Sequence, residues 1–105
     1  MNLFGGYSPA ADDEQTDILL ETAKVRIERI VSTGQVSPPG FWYDQDEDEW
    51  VTVLEGEAEL TTETEVIPLK KGDSYFLPAG LRHRVSYTST EPPCIWLCIF
   101  SGGRA

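Results

Sequence analysis

The sequence predicts an all-β protein, a barrel or a sandwich, with one short helix near the N-terminus. From Lys24 onward, apolar and polar residues alternate with a period of two over short segments, and turn sequences separate these segments every 6 to 12 residues. Nine glycines and seven prolines in 105 residues suit a turn-rich β protein better than a helical bundle. A closed or doubled sheet would leave few strand edges exposed.

The chain divides into an N-terminal arm with a short helix, residues 1–22, and a barrel, residues 23–105. Residues 12–22 place acidic side chains before the apolar run Ile18-Leu19-Leu20, and acids near the first turn favour a helix. Residues 1–11 contain glycine and proline and are predicted to form an extended arm, with Phe4 and Tyr7 as its anchors.

The barrel segment contains seven candidate strands, and the first of them begins at Lys24. Val25 and Ile27 alternate there with charged residues, which is typical of a half-buried strand. In the strand 82–88 the same alternation places His83, Val85 and Tyr87 on one face. The remaining candidate strands cover residues 50–54, 57–61 (with an acidic outer face), 66–67, 74–77 and 94–101, the last being the most apolar.

The charge balance argues against nucleic-acid and anionic-membrane partners. Acids outnumber bases 18 to 8, which gives a formal net charge of −10 and a field that repels phosphates. No apolar run approaches the roughly 20 residues of a membrane-spanning helix. The N-terminus also lacks the basic and apolar regions of a secretory leader, so a cytoplasmic location is expected.

Two smaller patterns have structural interpretations. Ten carboxylates and no Lys or Arg lie between Asp44 and Glu65; they form solvated strand faces, or one or two of them point inward and coordinate a ligand. Cys94 and Cys98 are four residues apart on one strand face, about 13 Å from each other. That separation is too large for a disulfide, so two buried free thiols are predicted.

The segment from Gly72 to His83 carries the most specific pattern in the chain. Its fixed residues are Gly72, Pro78, Gly80 and His83, and this spacing resembles the second cupin motif. Upstream, Glu49 followed after six residues by Gly56 resembles the back half of the first cupin motif. The resemblance implies a double-stranded β-helix, or jelly-roll, cupin barrel with a pocket in its mouth.

The front half of the first motif departs from the cupin pattern, which has a His-x-His pair. Counting back from Glu49 places either Trp42 and Asp44 or Tyr43 and Gln45 at these positions, and neither pair contains a histidine. An asparagine that often follows the second motif is replaced by Tyr87.

The resemblance implies a divalent metal, and this chain retains only part of the usual set of three histidines and one glutamate. Glu49 and His83 match, and Asp44 is a substitute carboxylate; such a set would bind Mn, Fe or Zn. In the alternative, His83 forms hydrogen bonds with Glu49 or Tyr87 in a metal-free pocket, or Glu49 lies on the surface.

Aromatic and polar residues beside the motifs are the candidate substrate-binding group. They are Trp42, Tyr43 and Gln45, whereas Trp50 and Trp96 either line the same pocket or serve as core and dimer contacts. In an enzyme, His83 and Glu49 would form the acid–base pair. Tyr87 would then donate a hydrogen bond to a developing oxyanion.

Three functions remain open on the sequence alone. The first is binding of a small molecule in the barrel mouth, with or without a weakly held metal. The second is a metal-dependent lyase, isomerase or dioxygenase acting on a small oxygen-rich substrate. The third is a structural dimer with a vestigial site. Homodimerisation is implied by the family resemblance.

Overall fold

A computed structural model describes residues 1–102, and these form eight antiparallel strands in two sheets. The five-stranded sheet has the order β1-β2-β8-β3-β6, and the three-stranded sheet has the order β5-β4-β7. The strands are β1 (Gln15–Glu21), β2 (Val25–Ser32), β3 (Asp48–Glu55), β4 (Glu57–Thr62), β5 (Val66–Lys70), β6 (Ser74–Leu77), β7 (His83–Thr88) and β8 (Cys94–Ser101).

The two sheets enclose one apolar core, as the predicted jelly-roll barrel requires. Alternate residues of the strands point inward, so β8 contributes Cys94, Trp96, Cys98 and Phe100. Both cysteines are buried free thiols, as predicted. The other fully buried members of the core are Val51, Val53, Ala58, Leu60, Leu69 and Leu77.

The predicted N-terminal helix is wrong, because residues 15–21 form β1. This strand pairs with β2 from Gln15 opposite Val31 to Glu21 opposite Arg26, with a bulge between Ile18 and Leu20. An isolated helix of about ten residues is marginal in water, whereas the edge of β2 offers a row of backbone partners. Pairing with β2 therefore outweighs the helical signal of the acids that precede Ile18.

The N-terminal arm is held against the outer face of the barrel by Arg29, which is 1% exposed. Its Nη2 donates to Asp17 Oδ2 at 2.6 Å, and its Nη1 donates to the backbone carbonyls of Asn2, Leu3 and Gly5. Tyr7 lies near the same guanidinium, whereas Phe4 is 54% exposed. Across residues 1–102, no helix is long and apolar enough to cross a membrane.

Strand β7 contains an irregularity that changes which side chains face inward. Leu60 pairs with Val85 and the adjacent Glu59 pairs with Tyr87, so Ser86 is an extra residue on the β7 side. Such a bulge reverses the alternation beyond it. Tyr87 is consequently 48% exposed and does not share the inward face of His83, contrary to the sequence prediction.

Candidate binding site in the barrel

A cavity of about 290 Å³ opens between the two sheets and contains the predicted Glu49–His83 pair. Glu49 comes from β3 and His83 from the start of β7, and both are buried, with 8% and 4% of their surface exposed. Glu49 Oε1 and His83 Nε2 are 3.9 Å apart. The barrel thus brings together an acid and an imidazole that are 34 positions apart in the sequence.

The backbone fixes the orientation and tautomer of His83. Its ring Nδ1 lies 2.9 Å from the carbonyl oxygen of Leu81, which only accepts, so Nδ1 carries the proton. The Tyr43 ring stacks on the imidazole at 5.2 Å, and the two residues exchange backbone hydrogen bonds. In the neutral ring, Nε2 is therefore an acceptor directed toward Glu49 and the cavity.

Glu49 is held by the amide of Gln45, whose Nε2 donates to Glu49 Oε1 at 2.9 Å. Burial raises the pKa of Glu49, and the charge of Glu28 adds to this effect, whereas the hydrogen bond from Gln45 opposes it. Burial lowers the pKa of His83, and the bond to Leu81 only partly offsets the shift. Desolvation therefore favours the neutral form of each group.

The structure distinguishes between the two registers that the sequence left open at 42–45. Tyr43 and Gln45 line the cavity, so the four-step register describes this chain. Trp42 and Asp44 alternate to the other side, as expected for an extended segment. Trp42 lies under the guanidinium of Arg82, at 5.3 Å, and Asp44 is exposed. Neither residue lines the cavity.

The donor set does not fit a divalent metal. A protein metal centre generally uses three or more side-chain ligands, and Asp44 does not join Glu49 and His83. Within residues 1–102, no group of three His, Cys, Asp or Glu side chains is arranged to hold a metal ion. Gln45, in addition, directs its amide nitrogen toward Glu49, which places a donor where a metal would need a lone pair.

Strand β2 supplies cavity residues that the sequence analysis assigned to the solvent side. Arg26, Glu28 and Ile30 line the cavity, and the apolar Val25 and Ile27 of the alternation do not. Arg26 donates to Glu28 at 2.6 Å, and its guanidinium lies 4.3 Å from the centre of the Phe100 ring. One sequence signal could have revealed this pair: Arg26 and Glu28 carry opposite charges and lie two residues apart on one strand face.

Glu14 and Cys98 are further cavity residues that the sequence did not reveal. Glu14 precedes β1, and burial raises its pKa, with a further contribution from the charge of Glu28. The thiol of Cys98 lies beside Glu49, and burial raises its pKa well above the ordinary value, so it stays protonated. Trp96, also in the lining, donates from Nε1 to Ser32 Oγ.

Comparison with known proteins agrees with the geometry of the barrel and its motifs. The family model described as the cupin domain matches residues 28–100. The chain belongs to the cupin family. No curated protein matches the sequence.

Solved cupin structures resemble this one closely. A protein of Ralstonia eutropha JMP134, provisionally named a mannose-6-phosphate isomerase, is 43% identical; the match covers 98% of this chain and 97% of that one, with a TM-score of 0.93. KdgF from a Halomonas species is 21% identical; the match covers 99% of this chain and 94% of that one, with a TM-score of 0.76. A cupin superfamily protein of Desulfitobacterium hafniense DCB-2 is 19% identical; the match covers 90% of this chain and 83% of that one, with a TM-score of 0.75. The last two likenesses show the fold alone.

Proposed function

We propose that this cupin binds a small molecule that donates hydrogen bonds, and that it does so in the barrel cavity without a resident metal. The gap between Glu49 and His83 carries this proposal. Their facing atoms, Oε1 and Nε2, are 3.9 Å apart, which is beyond hydrogen-bond length. With the proton of His83 on Nδ1, both atoms are acceptors, and a ligand that places two O–H or N–H hydrogens between them would satisfy both.

The rest of the lining supports a small-molecule site. Apolar side chains form most of the wall, and a few polar groups converge at one side, which is the usual composition of a ligand pocket. Leu60, Leu77, Val85, Trp96 and Phe100 belong to the apolar part. The volume of about 290 Å³ is near the lower end of ligand pockets, so the ligand is small.

Separate titrations with neutral sugars and with amines test this proposal directly. The probes are D-mannose, D-glucose, D-glucosamine and ethanolamine, each titrated by calorimetry with and without EDTA. We expect at least one probe to bind equally well in both conditions. Glu49→Gln and His83→Leu should each weaken that binding about tenfold or more, because each removes a buried acceptor.

Asp44→Asn is the matched control, since Asp44 belongs to the same acidic run but is exposed and outside the cavity. We expect it to bind the probes like the unaltered protein. Unchanged binding by both Glu49→Gln and His83→Leu would contradict the proposal, and so would binding that EDTA abolishes. Elemental analysis of untagged protein completes the test, because a stoichiometric metal would support the metal-dependent alternative.

A second candidate is acid–base catalysis by the same pair, as in an isomerase or a lyase. Burial shifts the pKa of Glu49 upward and that of His83 downward, so the two values approach each other. Glu49 would take the proton from the carbon beside a substrate carbonyl and return it to the carbonyl carbon, while His83 Nε2 would take the proton of the neighbouring hydroxyl and pass it to the carbonyl oxygen. Transfer of solvent deuterium to C2 of mannose, followed by NMR, tests this reaction; exchange that persists in Glu49→Gln would exclude Glu49 as the base.

A further inference from the structure

We infer that the preferred ligand is a cation, specifically a small molecule whose ammonium group lies between Glu49 and His83 and is attracted by the further acids of the lining, Glu14 and Glu28. This inference rests on the proposed binding function and specifies the charge of its ligand. The three acids come from the loop before β1, from β2 and from β3, and all line the same cavity.

The positive charge in the lining does not balance these acids. Among the described lining residues, Arg26 is the single Arg or Lys. Its guanidinium is shared between Glu28, at 2.6 Å, and Glu47, which receives bonds of 3.0 and 3.2 Å from its two terminal nitrogens. Arg26 therefore has no free fork for a phosphate or a carboxylate of a ligand. Within residues 1–102, neither Glu14 nor Glu49 forms a salt bridge with a lysine or an arginine.

The hydrogen-bonding capacity of the cavity points to a cation independently of its charge. His83 is only 4% exposed. Among the described residues its Nε2 has no hydrogen-bond partner, and it is directed into the cavity. This nitrogen is an acceptor, as are the carboxylate oxygens around it. An ammonium group supplies three donors and no acceptor, so it complements such a lining. A phosphate supplies mainly acceptors and would face other acceptors.

Mutual repulsion among the acids agrees with this assignment. Burial raises the pKa of Glu14, and the charge of Glu28 raises it further; Glu28 also raises that of Glu49. A cation placed among the three would offset this repulsion and favour their ionised forms.

Three probes that share one carbon skeleton test the inference: D-glucose, D-glucosamine and D-glucose 6-phosphate. Affinities are measured by calorimetry at low ionic strength, where screening is weak. We expect glucosamine to bind about tenfold or more tightly than glucose, because charge-assisted hydrogen bonds are about twice as strong as neutral ones. Glucose 6-phosphate should bind more weakly than glucose.

Single substitutions then identify the residues responsible. Glu14→Gln and Glu28→Gln should each reduce the ratio of the glucosamine affinity to the glucose affinity by about threefold or more, because each removes one negative charge from the lining. Asp12→Asn is the matched control, because it removes one charge from the same loop as Glu14 without touching the cavity lining. We expect it to preserve the full ratio.

The outcomes separate this inference from the function on which it rests. If glucose or glucose 6-phosphate binds as tightly as glucosamine, the ligand is not selected as a cation, and the inference is overturned while the binding function stands. The inference is also overturned if Asp12→Asn lowers the ratio as much as Glu14→Gln does. If none of these probes, nor mannose or ethanolamine, binds, the proposed function itself fails.

Discussion

Glu49, the proposed binding residue, is buried at a cost to the stability of the fold that holds it. Glu49 is 8% exposed, and its carboxylate receives a hydrogen bond from the Gln45 amide and lies beside the Cys98 thiol. The charged form loses hydration there that these two groups only partly replace. The burial of this carboxylate beside His83 supports the proposed contact with a ligand.

Glu49→Gln is expected to raise the free energy of unfolding by about 1 kcal/mol near neutral pH and to weaken ligand binding at the same time. The folded-state pKa of Glu49 lies above the value of 4.5 that it has when exposed. The unfolded chain therefore loses this proton first as the pH rises, and the native protein loses stability across that window. The advantage of the variant should be absent below about pH 4 and complete near neutrality.

Urea denaturation between pH 3.5 and 7.5 measures this difference for the variant and the unaltered chain. Asp44→Asn is the control, because it removes one carboxylate from the same acidic run at an exposed position outside the cavity. His83, whose pKa lies below 6.5, destabilises both proteins on acidification, so its effect largely cancels in the comparison. A Glu49→Gln variant that is less stable at pH 7 than at pH 4, relative to the unaltered chain, would refute the explanation.

The sequence identified the cavity residues that belong to a motif, and it missed the cavity residues whose direction depends on which strand face points inward. Glu49 and His83 were predictable because the spacing of Gly56, Gly72 and Gly80 places them on a known scaffold. Arg26 and Glu28 were not predictable, because alternation on a strand gives two faces without saying which one is inside. The apolar residues Val25 and Ile27 indicated the wrong face, since this barrel directs charged side chains into its cavity.

At the scale of the element, the strands were predictable and their departures from regularity were not. The bounds of β6 and β8 agree with the predicted segments because proline and glycine turns delimit them. The Ser86 bulge reverses the direction of Tyr87, and it depends on pairing with β4 rather than on local composition. Likewise, β1 forms because β2 offers an unpaired edge, which is a tertiary cause.

Gly56 and Gly72 have similar backbone conformations, but we expect alanine to be tolerated much better at Gly72 than at Gly56. Both have positive φ, 77° and 89°. An added methyl group at Gly56 would collide with the carbonyl oxygen of Pro93 and with Ser89 Oγ, whereas one at Gly72 would meet open space. We expect Gly72→Ala to cost about 1 kcal/mol from backbone strain alone, and Gly56→Ala to cost about 3 kcal/mol or more.

Thermal and urea unfolding of the two variants measure these costs. Gly72→Ala serves as the control for strain, because it shares the positive φ without the collision. Equal destabilisation of the two variants would show that the β3–β4 turn adjusts freely and that Pro93 does not constrain it. A Gly56→Ala chain that fails to fold would agree with the larger cost, provided that Gly72→Ala folds normally.

At the scale of the whole molecule, the outer face of the five-stranded sheet is the surface on which the predicted homodimer can be tested. A single row of paired residues crosses all five strands on this face, and every member is apolar. The row, here called the outer stripe, consists of Leu20, Ile27, Ile99, Trp50 and Phe76. Trp50 and Phe76 are 37% and 54% exposed, which is unusual for side chains of their size.

A second copy of the chain is the occupant expected at the outer stripe. In a two-fold interface the same patch serves both subunits, and a stripe that crosses a sheet on one level can pack against its own rotated copy. The stripe itself carries no charge, so it adds nothing to the repulsion that the net charge of −10 imposes between two copies. Aromatic side chains such as Trp50 would supply most of the binding energy.

Trp50→Glu is therefore expected to convert a dimer to a monomer and to leave the fold intact, since Trp50 points away from the cavity and the core. Sedimentation velocity at protein concentrations of about 5 to 50 μM measures the change. In this range a protein with an interface of standard size is mostly dimeric. Val66→Glu is the matched control, because it adds the same charge at an exposed apolar position of the other sheet. If the unaltered chain sediments as a monomer, or if both variants stay dimeric, the outer stripe is not the dimer interface.

Because the cavity opens between the sheets and the stripe lies on the opposite face of β3, ligand affinity should be the same in both variants.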